Sequence, residues 1–309
     1  MRLLLAAEEA AGVQVLRALL RVGRPPVAVM ARERPSGAGA STWVAAAHAG
    51  LETWPAKEVR DPRLADRLRE LEVDLVLNVH SLYIVHPAVL SAAPLGWFNL
   101  HPGPLPAYAG LNAVSWSIYE GETDHAVTLH RMAPGVDEGA IAYAESFPIV
   151  ESDTALTLST RCVRLGLGLV MRLVEQATVD PAGIPVIEQD LGRFRYHDAQ
   201  PPANATVDWE RPAAEVSRVI RAFDYYPLHS PWGHAQANLV GRRVGVTGSS
   251  RRGGPTDRPA GSIEAIDGGA ARVACADEWV EIRRVHHDGM TFDAADLAAW
   301  PLPDGRDDR

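Results

Sequence analysis

The sequence predicts an α/β protein: an open, doubly wound, mostly parallel sheet of Rossmann-like type, followed by a small C-terminal β-barrel domain. Three observations predict it. Short apolar runs alternate with stretches of helical spacing up to about residue 100, the order of a parallel sheet with crossover helices. The chain then turns proline-rich and aperiodic over residues 178–206, which marks a linker. Beyond it, one helical stretch is followed by several short strand-like pieces with glycine punctuation, the pattern of a small OB-like barrel.

The elements follow in order. Residues 2–6 read as a buried strand, 10–20 as an amphipathic helix and 25–30 as a second strand. Residues 41–48 read as a helix, 51–54 as an extended piece and 61–71 as a helix. VDLVLNV, residues 73–79, is an apolar run with charge before it, and 96–100 is the next strand. After a proline-rich loop, 112–119 reads as a helix capped by Asn112. Residues 126–132 and 140–148 read as two strands joined by APGVDEG. Ser152 or Asp153 caps a long amphipathic helix reaching to about residue 176. A helix over 212–223 then precedes RRVGVTG, GSIEAID, ARVACA and EWVEIRRV, read as barrel strands. The expected boundaries are a first domain at 1–180, a linker at 181–204 and a C-terminal domain at 205–309. The loop SSRRGGPTDRPAG is expected to be mobile and the tail DGRDDR frayed.

Bulk properties exclude several classes. The 309 residues are 47% hydrophobic and 22% charged, a globular composition. A net charge of −9 gives no reason to expect a nucleic-acid or membrane surface. Lys57 is the only lysine. Two cysteines, Cys162 and Cys275, make neither a disulfide framework nor a zinc site and read as inert core thiols. No run approaches a membrane span, and MRLLLAAEEAAG is too short in its apolar part for a signal peptide. A soluble cytoplasmic protein is expected.

The chemistry concentrates in FNLHPGPLPAYAG. Asn99 and His101 stand two apart at the end of a strand, where an open α/β sheet presents its ligand crevice. Pro102, Pro104 and Pro106 stiffen the loop behind them, while Gly103 and Gly110 permit close approaches. A stiff loop holds two side chains without further ordering cost. The second piece is APGVDEG, in which Asp137 occupies a glycine-flanked turn. A carboxylate beside His101 would hold its imidazole in one orientation and raise its pKa.

Together these pieces resemble the formyltransferases that use 10-formyltetrahydrofolate, a two-domain, methionyl-tRNA formyltransferase-like family. The resemblance rests on Asn99-Leu100-His101, the loop Pro102–Pro106 with Gly110, Asp137-Glu138-Gly139, and the text AVTLHRMAPGVDEGAI. It covers 1–180 and, more loosely, 205–300. It implies that Asn99 donates a hydrogen bond to the oxyanion of the reacting formyl group and that His101 acts as donor or proton carrier. Asp137 would orient His101 and help take the proton from the amine. It further implies a pterin held between Leu82, Tyr83, Ile84 and Val85 on one side and Pro134, Gly135 and Val136 on the other, with 10-formyltetrahydrofolate as co-substrate. None of these roles requires a metal.

The acceptor is read from what surrounds the site. Residues 204–309 contain no lysine and more acidic than basic residues, and the early loop ARERPSGAGASTW is short, both against a tRNA partner. The pieces LNAVSWSIYEGET and Arg221-Ala222-Phe223-Asp224-Tyr225-Tyr226-Pro227 resemble formyltransferases of peptide and siderophore biosynthesis. The reading is therefore transfer to an amine or hydroxylamine of a small-molecule or carrier-bound acceptor in secondary metabolism. A nucleotide-linked amino-sugar N-formyltransferase, a methionyl-tRNA formyltransferase and a 10-formyltetrahydrofolate hydrolase are the alternatives, in that order. The regulatory domain that often precedes such hydrolases is not expected, since the first strand starts at Arg2.

Other candidates read as structural. His80 and His86 flank the proposed folate loop as surface or supporting residues, and His125 and His130, five apart on one strand, face opposite sides. His286 and His287 read as solvent-facing, Trp97 and Trp116 as core. Glu8 and Glu9 read as a solvated helix start, with contact to an amine substrate as the alternative.

Overall fold

The computed structural model describes residues 1–33, 41–251 and 254–300. Most of the early loop ARERPSGAGASTW, two positions of the loop expected to be mobile, and the tail therefore lie outside the described residues. The elements are β1 (Leu3–Ala7), α1 (Glu9–Arg21), β2 (Ala28–Ala31), α2 (Thr42–His48), β3 (Thr53–Pro55), α3 (Leu64–Glu70), β4 (Leu75–Val79), α4 (Pro87–Leu90), β5 (Gly96–His101), β6 (Ala109–Gly110), α5 (Ala113–Glu120), β7 (Asp124–Arg131), β8 (Ile141–Pro148) and α6 (Ala155–Val179). They continue with β9 (Tyr196–His197), α7 (Ala213–Phe223), β10 (Ala235–Leu239), β11 (Arg242–Thr247), β12 (Ile263–Ala265), β13 (Ala271–Ala274), β14 (Trp279–Ile282), β15 (Arg284–His287) and β16 (Met290–Asp293).

The chain divides into two compact units. The first comprises Met1–Gly110, Ala126–Phe147 and Arg161–Tyr196; the second comprises Leu111–His125, Pro148–Thr160 and His197–Arg309. A seven-stranded sheet runs in the order β3-β2-β1-β4-β5-β7-β8. Strands β3 to β5 are parallel and β7 joins β5 antiparallel, so the sheet is mixed but mostly parallel. Strands β1 and β4 are buried along their whole length, which is why LLLAA and LVLNV read as unbroken apolar runs. One face packs Leu4, Ala6, Met30 and Val76 against Trp54, Leu68 and Trp97. The winding reverses between β1 and β4, the place where such sheets open a crevice beyond their strand ends.

The C-terminal strands are antiparallel and form a four-stranded sheet, β10-β11-β15-β16, and a three-stranded sheet, β12-β13-β14. EWVEIRRV, read as one strand, breaks at Arg283 so that β14 and β15 serve different sheets. Two predicted caps differ. Asn112 sits at the N-terminus of α5, but its backbone is left-handed and its side chain makes no cap bond. Thr154 rather than Ser152 or Asp153 caps α6: its hydroxyl accepts from the Thr157 N–H. Asp153 instead accepts from the Val150 N–H and the Thr157 hydroxyl. Cys162 and Cys275 are buried, and burial pushes both thiols up to about 12, so neither is a nucleophile near neutral pH. Among the described residues no helix is long and apolar enough to cross a membrane.

Candidate active site

Strand register builds the first layer of the site. Asn99 of β5 lies opposite Asn78 of β4 and opposite His130 of β7. Residues paired across neighbouring strands project to the same side, so three polar side chains form one row. The Asn78 amide donates to the Ser81 carbonyl (3.2 Å) and to Asn99 Oδ1 (3.0 Å). With its oxygen engaged, Asn99 turns Nδ2 the other way, 3.2 Å from His130 Nε2 and 3.4 Å from Asp137 Oδ1.

His101, two residues on, is only 3% exposed. The proline-rich loop folds back so that the Tyr108 carbonyl accepts from His101 Nε2 at 2.6 Å. Thr128 of β7 pins that loop by donating to the Gly103 carbonyl. The Tyr108 bond places the ring proton of neutral His101 on Nε2 and leaves the Nδ1 lone pair toward Asp137 Oδ2, 3.5 Å away. The sequence assigned the orienting role to Asp137 and expected a raised pKa. In neutral His101 the backbone carbonyl fixes the ring instead, because the Nδ1 lone pair and the carboxylate are both acceptors, and burial outweighs the neighbouring carboxylate, so the pKa of His101 is lowered.

The Asp137 side chain is 9% exposed and its backbone is left-handed, φ 57°. Such strain is typical of residues held for function. Its Oδ2 accepts the Gly110 N–H (2.9 Å) and its Oδ1 lies 3.3 Å from His130 Nε2. Burial by itself would raise its pKa. The His130 hydrogen bond, the neighbouring His101 and the Gly110 N–H prevail and hold the carboxyl at about 2. His130 Nδ1 donates to the Arg131 carbonyl, leaving Nε2 between the Asn99 amide and the carboxylate. A proton on Nε2 bonds Asp137; without it, Nε2 accepts from Asn99. Losing His130 removes the neighbour that does most to hold the Asp137 pKa down, and with it the Nε2 contact of the Asn99 amide. His130→Ala is expected to lower kcat by roughly ten- to a hundredfold and to move acid unfolding to higher pH, read by rate assay and by circular dichroism.

The turn that carries Asp137 is held from behind. Gln189 Nε2 donates to the carbonyls of Asp137 (2.7 Å) and Gly139 (2.6 Å). Gln189 lies within the stretch 181–204, whose first part is also tied to the catalytic unit by the Ile141–Ile187 bridge. Gly139 admits no side chain, because a Cβ there would lie 1.8 Å from the Arg131 carbonyl oxygen. Gly139→Ala must displace backbone; a loss of about 3 kcal/mol in denaturant unfolding is expected, the upper range for overpacking.

The remaining predicted residues fall as follows. Val85 is buried in the core cluster and Tyr83 packs against it, with the Arg60 guanidinium 5.0 Å from the Tyr83 ring centroid. Leu82 and Ile84 alternate outward at 65% and 62% exposure. Pro134 and Val136 are exposed and Gly135 is half-buried. Glu8 is not a solvated helix residue: it is buried, its carboxylate accepts the Arg32 N–H at the end of β2, and burial raises its pKa. Glu9 stays exposed, and its pKa is lowered by a hydrogen bond to His80. His86 accepts the Ala88 N–H as the cap of α4. His125 is a core residue 2.9 Å from the Ser117 hydroxyl. Trp97 is core, whereas Trp116 is only partly buried. His286 is not solvent-facing: it stacks on His234 at 3.8 Å, lies 2.9 Å from the Thr247 hydroxyl, and burial lowers its pKa to about 4.

An amide donor, an imidazole with a free lone pair and an ionised carboxylate at the strand ends of an open α/β sheet are the equipment of acyl-transfer enzymes. The chain belongs to the formyl transferase family: the formyl transferase profile matches residues 11–174 and the formyl transferase C-terminal domain profile matches 201–299. Solved structures share the fold. The N-formyltransferase from Helicobacter canadensis, in complex with folinic acid and dTDP-3-aminofucose, has a TM-score of 0.69 at 18% identity, over 91% of this chain and 98% of that one. A sugar N-formyltransferase from Shewanella sp FDAARGOS_354 has a TM-score of 0.62 at 18% identity, over 80% of this chain and 96% of that one. HypX from Aquifex aeolicus has a TM-score of 0.67 at 18% identity, over 97% of this chain; the chain spans only 47% of HypX.

Proposed function

We propose that the protein transfers the formyl group of 10-formyltetrahydrofolate to the amine of a nucleotide-linked amino sugar. The observation that carries the transfer chemistry is the convergence of Asn99, His101 and Asp137. Neutral His101 offers Nδ1 to the proton released when the amine attacks, and Asp137, 3.5 Å away, stabilises the imidazolium that forms. The proton then passes to the departing folate nitrogen. The Asn99 Nδ2 group lies 3.2 Å from His130 Nε2 and at a long 3.4 Å from Asp137 Oδ1, and giving up the longer contact turns one N–H to the developing oxyanion. The catalytic domain is taken as 1–180 and the C-terminal domain as 205–309. Leu82–Val85 and Pro134–Val136 are the proposed folate contacts, of which the exposed Leu82, Ile84 and Val136 offer apolar surface to the pterin.

The acceptor rests on different support. Structural neighbours are described as bound to folinic acid with dTDP-3-aminofucose, and to dTDP with 5-N-formyl-THF. A HypX structure is described as a complex with tetrahydrofolic acid, which supports the folate but not the sugar. The segment behind the secondary-metabolism reading has a structural explanation. Asp224 accepts the Tyr226 and Gly248 N–H groups, and Arg221 donates to the Asp153 carbonyl. That moves the small-amine acceptor to second place. Turnover of 10-formyltetrahydrofolate is the test, with a dTDP-amino sugar, small amines and hydroxylamines, and no acceptor in parallel. Amino-sugar-dependent turnover supports the proposal. Equal turnover without acceptor makes the protein a hydrolase, and turnover with small amines alone restores the other acceptor class.

A further inference from the structure

The second unit contains a cavity of about 240 Å³ that the formyl-transfer chemistry does not use. One wall is α7, which presents Ala214, Arg218 and Arg221 on one face at helical spacing. Arg251 lines it as well, Gly121, Glu122 and Thr123 form another wall, and Glu151 is the second carboxylate of the lining. Three guanidinium groups therefore meet one small space.

Their pairing is unequal. Arg251 is neutralised by Glu278 at 2.8 Å and Glu151 at 3.7 Å. Arg221 is buried and donates to the Asp153 carbonyl at 2.8 Å. Burial lowers its pKa, with Glu151 and Asp153 opposing. Arg218 has no such partner: among the described residues it makes no ion pair and no hydrogen bond, and its Nε is buried without an acceptor. Its guanidinium lies close against Gly121, where a Cβ would come 3.0 Å from Nη1. A guanidinium presents a planar fork of donors that matches carboxylate and phosphate oxygens. A buried donor left unpaired is costly, and two like charges one helical turn apart repel until an anion lies between them.

We propose that this cavity binds a small oxyanion, a phosphate or carboxylate group, held by Arg218 with Arg221 behind it. Isothermal titration of the full chain tests it, with inorganic phosphate in one arm, citrate in another, and chloride at matched ionic strength as the baseline. The expected result is one site with a Kd of ~1 mM or tighter for at least one of the two anions. Arg218→Gln is expected to weaken it by about tenfold or more, and Arg218→Lys by less. Ala214→Glu, which adds a carboxylate to the same wall without removing any arginine, should also abolish binding. Thermal melts in chloride establish that each variant is folded. Binding of phosphate alone identifies a phosphoryl ligand, and binding of citrate alone a carboxylate ligand. Absence of binding by the wild type up to ~10 mM overturns the proposal. So does wild-type affinity in both Arg218→Gln and Ala214→Glu.

Discussion

Asn99→Ala is expected to lower kcat for formyl transfer by about a hundredfold or more, with little change in KM for the folate. The reason lies in how the amide is held. Asn78 donates to Asn99 Oδ1, so Nδ2 must be the group that faces the reacting centre. One of its contacts, to Asp137 Oδ1 at 3.4 Å, is long for a hydrogen bond and is given up at small cost to a stronger acceptor. An oxyanion is that acceptor, and one such donor is typically worth about 3 kcal/mol in the transition state. Asn99→Asp should be worse still, because it sets a second carboxylate beside Asp137. Steady-state kinetics with a thermal melt as the folding control decide the matter. A folded Asn99→Ala protein with near-normal kcat would remove Asn99 from the mechanism.

Asp137→Asn is expected to lower kcat by roughly 10²–10⁴-fold and to change the pH–rate profile. His101 must be neutral to accept a proton at Nδ1, and burial already lowers its pKa while Asp137 pulls the other way. Removing the carboxylate charge therefore lowers the pKa of His101 further and moves the acid limb of the profile to lower pH. Stability carries the same signature with a definite sign. The folded pKa of Asp137 is about 2 against an ordinary 3.8, so the unfolded chain binds the proton more tightly. The stabilisation, roughly 2 kcal/mol, is complete above pH 4–5 and is lost as pH falls toward 2. His101, also lowered, adds acid sensitivity of the same sign below its unfolded value near 6.5. Denaturant unfolding at a series of pH values reads both contributions. Asp137→Asn should remove the lower one, and an unchanged acid profile would count against the assignment.

The first five strands and the first three helices between them were legible because they are local patterns; the short α4 was not read. Leu3–Ala7 and Leu75–Val79 are continuous apolar runs, as strands buried on both faces must be. The Asn99 and His101 pair and the Asp137 turn were legible for a similar reason. Stiff proline geometry behind a strand end, and a left-handed turn between strands, leave their mark in neighbouring residues. By contrast, Asn78 hid inside an apolar strand. His130 shares its strand with His125, and the two face apart: one meets Ser117, the other Asp137. A cross-strand pairing of β5 with β7 would have found His130, but pairing is not a property of either strand alone.

What the sequence determined by itself, then, is the order of elements, the mostly parallel sheet and three polar residues that the fold brings together. Each rests on spacing, backbone restriction or family likeness within short segments. Only the tertiary structure decided that β4, β5 and β7 align Asn78, Asn99 and His130 in one row, that Gln189 braces the Asp137 turn, that Glu8 and His286 are shielded, and that Arg218 is left without a partner among the described residues. The physical reason is that strand register and desolvation are sums over contacts from distant parts of the chain. The pKa of His101 moves opposite to what its carboxylate neighbour alone would cause, because the whole fold around it excludes water.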